Sequence, residues 1–592
     1  MRIPVSFFAV ALAVSVPAVS IAQASPAAER SRALNKLFDE YWQYSLKTSP
    51  ESATSLGDAR YNDAWSDYSA AAFNANLARE SEFITRLGAI DTTGLPEQER
   101  LSAELLMRNL VDDQESARFK PWEMPVSQFG GPHLSFPQTL AIMPYATAKD
   151  YDNYIARLNK IPAVFAQVQQ AMDAGIADGR TVPQMLMEKA QAQVEKMAAT
   201  KPEDTPFAAP LKKLPATLSV AEQKRIRTEA MDAITKQVLP SYDRFGRYLK
   251  AQYVPKARTT LGASSLPDGK AYYAYLVRSS TTTNRTPDEI HQIGLDEVKR
   301  DETEMLAIAT KLGFKDLKTF NESLKNDPKQ HPTSADQLVD AFRKPLEAMK
   351  AKLPDLFGRL PKAPFEVQPV PAYREANSAP AYYESGTPDG KRPGIFFANT
   401  YHFADRQLYT AEAIAFHEGI PGHHLQISIS QELTGIPEFR KEGGYTAFME
   451  GWGLYAERLG KDVGFYTNPY DDYGRLQADI WRAIRLVVDT GVHSKGWTRQ
   501  QMVDFFHEHS GVDESSVQAE VDRYIAIPGQ ALAYKSGQLK ILELRQRAQT
   551  KLGAKFSLKN FHDEVIDSGA LPLDVLDRRV DAWIAAGGPP QS

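Results

Sequence analysis

The sequence predicts a mainly α-helical protein with one small β region. Two observations carry that reading. Apolar residues recur at three- and four-residue spacing over most of the chain, and only residues 364–400 break into short alternating runs. A third observation bounds it: 592 residues with 43% hydrophobic and 24% charged content are an ordinary globular composition with ample chain for a large core. A net charge of −5 leaves no basic footprint for nucleic acid. The absence of cysteine excludes disulfides, thiolate metal sites, a cysteine nucleophile and a lipidated N-terminal cysteine.

Residues 1–24 read as a secretory signal. Arg2 is a minimal charged start, residues 5–19 are mostly apolar, and Ala22-Gln23-Ala24 fits a small-x-small cleavage site. Ser6, Ser15 and Pro17 interrupt the run, which falls short of the ~20 apolar residues of a membrane span. Export with cleavage is therefore expected, and no later segment is apolar enough to span. Leu34, Leu37, Phe38, Tyr41 and Tyr44 then set a helical rhythm. Thr147 and Asp150 read as a capping box opening a helix with Tyr151, Tyr154, Ile155, Leu158 and Ile161 on one face, which Pro162 should end or restart. Thr286-Pro287-Asp288-Glu289 starts another helix, expected to reach about Leu312. Three short runs, at 365–370, 381–384 and 394–400, are the strand candidates.

The stretch that points to chemistry is Phe416-His417-Glu418-Gly419-Ile420-Pro421-Gly422-His423-His424. Three of the chain's eleven histidines fall within eight positions, with a glutamate beside the first. Histidine is the commonest zinc ligand, and a carboxylate beside a ligand is the usual base of a zinc hydrolase. The helical motif H-E-x-x-H puts its histidines at i and i+4, but here that second position is Pro421. Proline offers no N–H to the carbonyl of residue 417 and crowds it, so a break over 420–422 is expected. A two-residue insertion makes His423 the second ligand, and a three-residue insertion makes it His424. Either way one zinc ion is the implied cofactor and Glu418 the implied base. A third ligand is expected on a following helix, where Glu450 and Glu457 lie seven apart on one face and Gly451 and Gly453 permit close approach. Thr410 is placed to cap the histidine helix.

The pattern His417-Glu418-x-x-Pro421-Gly422-His423-His424, followed by Glu450-Gly451-Trp452-Gly453-Leu454-Tyr455-Ala456-Glu457, resembles a bacterial family of secreted proteins. That family is related to Taq-type carboxypeptidases, thimet-type oligopeptidases and angiotensin-converting enzyme. The resemblance implies Glu450 as third ligand, Glu418 as activator of water, and Glu457 as a supporting or structural residue. It also implies a two-lobed helical fold with a deep cleft and the small sheet beside the metal. The lobes would be residues 25–360 and 361–592, joined as one integrated domain. In such peptidases an edge strand near the metal takes the substrate backbone, which makes residues 397–400 a candidate cleft strand.

Two further stretches share the resemblance. On a helix expected over 476–493, Arg482, Arg485, Asp489 and His493 form a polar stripe. Such a stripe is ordinarily a solvated face, but the alternative is that Arg485 and His493 face the cleft and hold a substrate carboxylate or the oxyanion. In Tyr524-Ile525-Ala526-Ile527-Pro528-Gly529-Gln530-Ala531-Leu532-Ala533-Tyr534, a phenol can stabilise an oxyanion, Tyr534 being the first candidate and Tyr524 the second. The implied activity is zinc-dependent hydrolysis of short peptides, of carboxypeptidase or oligopeptidase type. Two other classes fit the same residues: a zinc hydrolase of non-peptide amides or esters, and a non-catalytic periplasmic peptide-binding protein.

Overall fold

The apolar stripe that follows Thr147 forms a helix twice as long as a terminating proline would allow. In the computed structural model, which describes residues 26–371, 375 and 379–590, helix α1 (Ala148–Asp178) opens with the Thr147–Asp150 capping box. Pro162 sits inside it and neither ends nor restarts it. One lost backbone hydrogen bond is outweighed by an unbroken buried stripe running from Tyr154, Leu158 and Ile161 through Phe165, Val168 and Met172. Helix α2 (Pro287–Lys311) carries the second capping box, Thr286 with Glu289. The signal-like residues 1–24 lie outside the described residues.

The β region forms a three-stranded mixed sheet from β1 (Phe365–Pro369), β2 (Ala381–Glu384) and β3 (Gly394–Ala398). The spatial order is β1–β3–β2, with β3 parallel to β1 and antiparallel to β2. This corrects the strand expectation. Phe397 and Ala398 lie on the central strand, paired on both sides, so their backbone has no free edge for a substrate strand. The apolar run of β3 reflects burial on both faces.

The remaining elements are helical: α3 (Ala411–Glu418), α4 (His423–Glu432), α5 (Thr446–Asp462), α6 (Pro469–Ser494), α7 (Glu514–Ala526) and α8 (Ala533–Leu552). Thr410 precedes α3 but does not cap it with its side chain; its hydroxyl donates to the Gln407 carbonyl at 2.9 Å. Two apolar cores organise the molecule. One joins the α1 stripe to Ile480, Ile484 and Val488 of α6. The other joins Phe342 and Leu346 to Phe396, Phe416, Trp452 and Ile541. Helix α6 contributes to both, since its Ala478 belongs to the second. Helices α3 and α5 therefore stand on a fixed floor. No helix among the described residues is long and apolar enough to cross a membrane.

Candidate metal centre

Helix α3 ends at Glu418, and α4 begins at His423. The four residues between turn the chain so that two histidines six apart meet. Gly422 is required there, because a Cβ would run into the carbonyl oxygens of Phe416 and His417. The Ile420–Pro421 peptide is cis, and the indole Nε1 of Trp452 donates to the Pro421 carbonyl at 2.9 Å. Trp452 thus ties the break to α5, the helix that carries Glu450.

The break brings His423, not His424, into a group with His417 and Glu450 that can hold a metal ion. Nε2 of His417 and Nε2 of His423 each lie 3.4 Å from Glu450 Oε2. A tetrahedral zinc with bonds of ~2.0–2.1 Å sets its donor atoms about 3.4 Å apart. The imidazoles stand edge to face at 87°, with centroids 4.7 Å apart. Glu450 Oε2 is buried with no hydrogen-bond donor, the condition of a carboxylate oxygen whose lone pair is reserved for a cation. The donor set and its spacing both fit zinc.

The surroundings favour positive charge. His417 Nδ1 lies 2.7 Å from Glu457 Oε1, which holds the Nδ1–H tautomer and leaves the Nε2 lone pair facing Glu450. Burial works against a charge on His417. The Glu450 and Glu457 carboxylates on either side of its ring, with the charge of Glu418, override it and raise the pKa to about 10. Burial likewise opposes the Glu450 carboxylate, but His417 and His423 hold its pKa well below the usual range. Three carboxylates, Glu418, Glu450 and Glu457, thus face two imidazoles. Gly453 lets α5 approach, since a Cβ there would sit 2.7 Å from His417 Cε1.

His424 points elsewhere. It stacks on Phe365 at 4.3 Å, lies 3.0 Å from the Tyr383 hydroxyl and is driven by burial to a pKa of about 4. It is a neutral packing histidine.

The polar stripe of α6 is buried rather than solvated: Arg485 is 7% exposed, and Asp489 and His493 are fully enclosed. His493 is not brought to the metal group. Its Nδ1 accepts from the Ala263 amide and its Nε2 lies 2.9 Å from the Tyr524 carbonyl, so both ring nitrogens are spent on backbone. The Tyr524 hydroxyl is also spent. It receives bonds from Arg485 Nε and Trp481 Nε1 and donates to Glu520 at 2.5 Å. The Tyr534 ring lies under the Arg485 guanidinium at 4.4 Å; its phenol interacts with the Gln530 side chain and feels the charge of Glu450. Asp489 accepts from Tyr273 and from the Gly529 amide, which holds the turn leading to Tyr534.

Residues 50–580 match the model of a family described as bacterial protein of unknown function, DUF885. The chain belongs to this family. A solved structure, described as a putative lipoprotein from Colwellia psychrerythraea, matches with a TM-score of 0.89 and 28% identity over 94% of this chain and 99% of that one. A second, from Shewanella oneidensis and also described as a putative lipoprotein of unknown function, matches with a TM-score of 0.71 and 19% identity over the same shares, a likeness of fold alone. No curated protein matches the chain. These 592 residues contain no cysteine.

Sequence reasoning missed Glu520 and Arg523, which surround Arg485 and Tyr524. The signal was the spacing of Glu520, Arg523 and Tyr524 at three and four residues, which puts all three on one face of α7. Arg482, 3.6 Å from Glu457, was noted only as part of the stripe.

Proposed function

We propose that this member of DUF885 is a zinc-dependent metallopeptidase that hydrolyses short peptides outside the cytoplasm. The observation that carries the reading is the pair of 3.4 Å separations from Glu450 Oε2 to two imidazole Nε2 atoms, with Glu418 adjoining the first. Zinc, when bound, supplies Lewis-acid polarisation and lowers the pKa of water toward neutrality. The protein's own residues supply the rest. Glu418, half-buried at the end of α3, takes the proton of the attacking water and passes it to the leaving amine. Tyr534 directs its hydroxyl to the developing oxyanion, a phenolic O–H being a suitable donor. Glu457 keeps His417 in the tautomer that leaves Nε2 free.

Elemental analysis of protein purified without chelator should find about one zinc per chain. Glu418→Gln should keep that zinc and lower turnover of a short-peptide panel by about 10²–10⁴-fold, the span of general-base catalysis. Retained turnover would remove Glu418 as the base. A metal-loaded protein that hydrolyses esters or non-peptide amides but no peptide would replace the peptidase with a broader zinc hydrolase.

A further inference from the structure

Beyond the metal group, α6, α7 and the start of α8 enclose a second polar cluster that leaves one guanidinium nitrogen without an acceptor. Arg485 donates from Nε to the Tyr524 hydroxyl at 2.8 Å and from Nη2 to Glu520 Oε2 at 3.0 Å. Arg523 donates from Nε and Nη2 to the two oxygens of the same carboxylate, each at 2.9 Å, and from Nη1 to Gln530 Oε1 at 2.8 Å. Two guanidiniums thus share the Glu520 carboxylate, with the buried Asp489 near enough to feel the charge of Arg523. All three guanidinium nitrogens of Arg523 are engaged, but Nη1 of Arg485 is buried without an acceptor. A buried charged donor left unpaired is costly and calls for a partner.

The unspent edge has a definite shape. Glu520 and Tyr524 occupy the Nε side of the Arg485 fork, so the edge headed by Nη1 remains, and it matches the two parallel acceptors of a carboxylate. One unspent edge suits a single carboxylate. The position is also informative. Arg485 lies over the Tyr534 ring at 4.4 Å, and that same tyrosine feels the charge of Glu450, so Tyr534 is the side chain that links the cluster to the metal group. Phe129, 50% exposed, lies 5.9 Å from the Arg523 guanidinium and places an apolar surface on the outer side of the cluster.

We infer that Arg485 is the subsite for a carboxylate of the substrate, and that the free C-terminus, which every unblocked peptide carries, supplies it. The inference rests on the peptidase reading for its chemistry and makes the enzyme one that works from the carboxyl end. Arg523, Glu520 and Tyr524 are positioning residues that hold the Arg485 fork.

Calorimetric titration of the zinc-loaded full chain tests this with N-acetylphenylalanine, N-acetylphenylalanine amide and N-acetylaspartic acid α-amide. The free acid should bind at least about tenfold tighter than its amide, the loss expected when a bidentate partner is removed. Arg485→Lys, which keeps the charge and loses the fork, should reduce that advantage to about twofold. Should the lysine variant fail to fold, the acid-to-amide comparison on the wild type decides alone. Equal binding of acid and amide, or no binding of either, overturns the subsite. Tight binding of the aspartic α-amide together with weak binding of phenylalanine amide keeps the carboxylate subsite and assigns it to acidic side chains instead of the terminus. Cleavage indifferent to C-terminal amidation would sink the subsite and spare the peptidase. A retained acid preference with no cleavage of any peptide would sink the peptidase and spare the subsite.

Discussion

His423 and His424 adjoin in the chain and are used in opposite ways. His423 offers Nε2 to the metal group, whereas His424 is neutral, stacked on Phe365 and bonded to Tyr383. What separates them is the direction each leaves the first turn of α4, about 100° apart on a helix. The residue next most informative is Glu457, whose carboxylate meets His417 Nδ1 at 2.7 Å and is itself approached by Arg482. A carboxylate behind a ligating imidazole fixes its orientation and raises its basicity. Glu457→Gln preserves shape and an acceptor oxygen but removes the charge. It should weaken zinc binding by about 10–100-fold, measured by competition with a chromogenic chelator. An unchanged dissociation constant would mean that Glu457 only packs.

At the scale of elements, the metal group depends on how closely helices approach. Helix α5 packs along α8 where Gly451 faces Gly537: a Cβ on Gly451 would lie 2.5 Å from the Gly537 backbone, and one on Gly537 would run into the Ala447 carbonyl. Gly537→Ala should therefore cost about 1–3 kcal/mol of stability, since both contacts are to backbone that cannot rotate away. Because Gly451 adjoins Glu450, the variant should also lose zinc more readily on dialysis, a readout that simple destabilisation far from the site would not move. Local features were legible from the sequence. The capping boxes at Thr147 and Thr286 formed, because every partner lies within three residues. The three strands appeared where alternation placed them. What the sequence could not carry was partnership across distance. The central place of β3 depends on pairing with strands on both sides of it, and the burial of Arg485 on contacts with Glu520 and Tyr524, 35 and 39 residues away. The choice between His423 and His424 depended on the geometry of a four-residue break, which spacing alone leaves open.

Over the whole molecule, two sets of buried groups pull stability in opposite directions with pH. Burial lowers the pKa of His133 and His424 to about 4 and of His493 and His562 to about 3. These stay neutral in the fold and titrate near 6.5 when unfolded, so below 6.5 the unfolded chain binds more protons and stability is lost as pH falls. Burial raises Asp113, Asp489, Glu412 and Glu564 to about 7 and Asp567 to about 6. Between their ordinary values near 4 and these raised ones the folded chain binds more protons, so stability is lost as pH rises. From about pH 4.5 to 6.5 four histidines and five acids act together with opposite signs and nearly cancel. Below about pH 4 the acids are protonated in both states and drop out. Two of the histidines continue, joined by Glu520, whose pKa burial would raise but Arg523 and Arg485 hold down at about 2. The urea midpoint should therefore be nearly flat between about pH 4.5 and 6.5 and fall steeply below about pH 4. A steady decline from pH 7 to 5 would show that the buried acids ionise in the fold, and that the interior between the two cores is wetter than its packing implies.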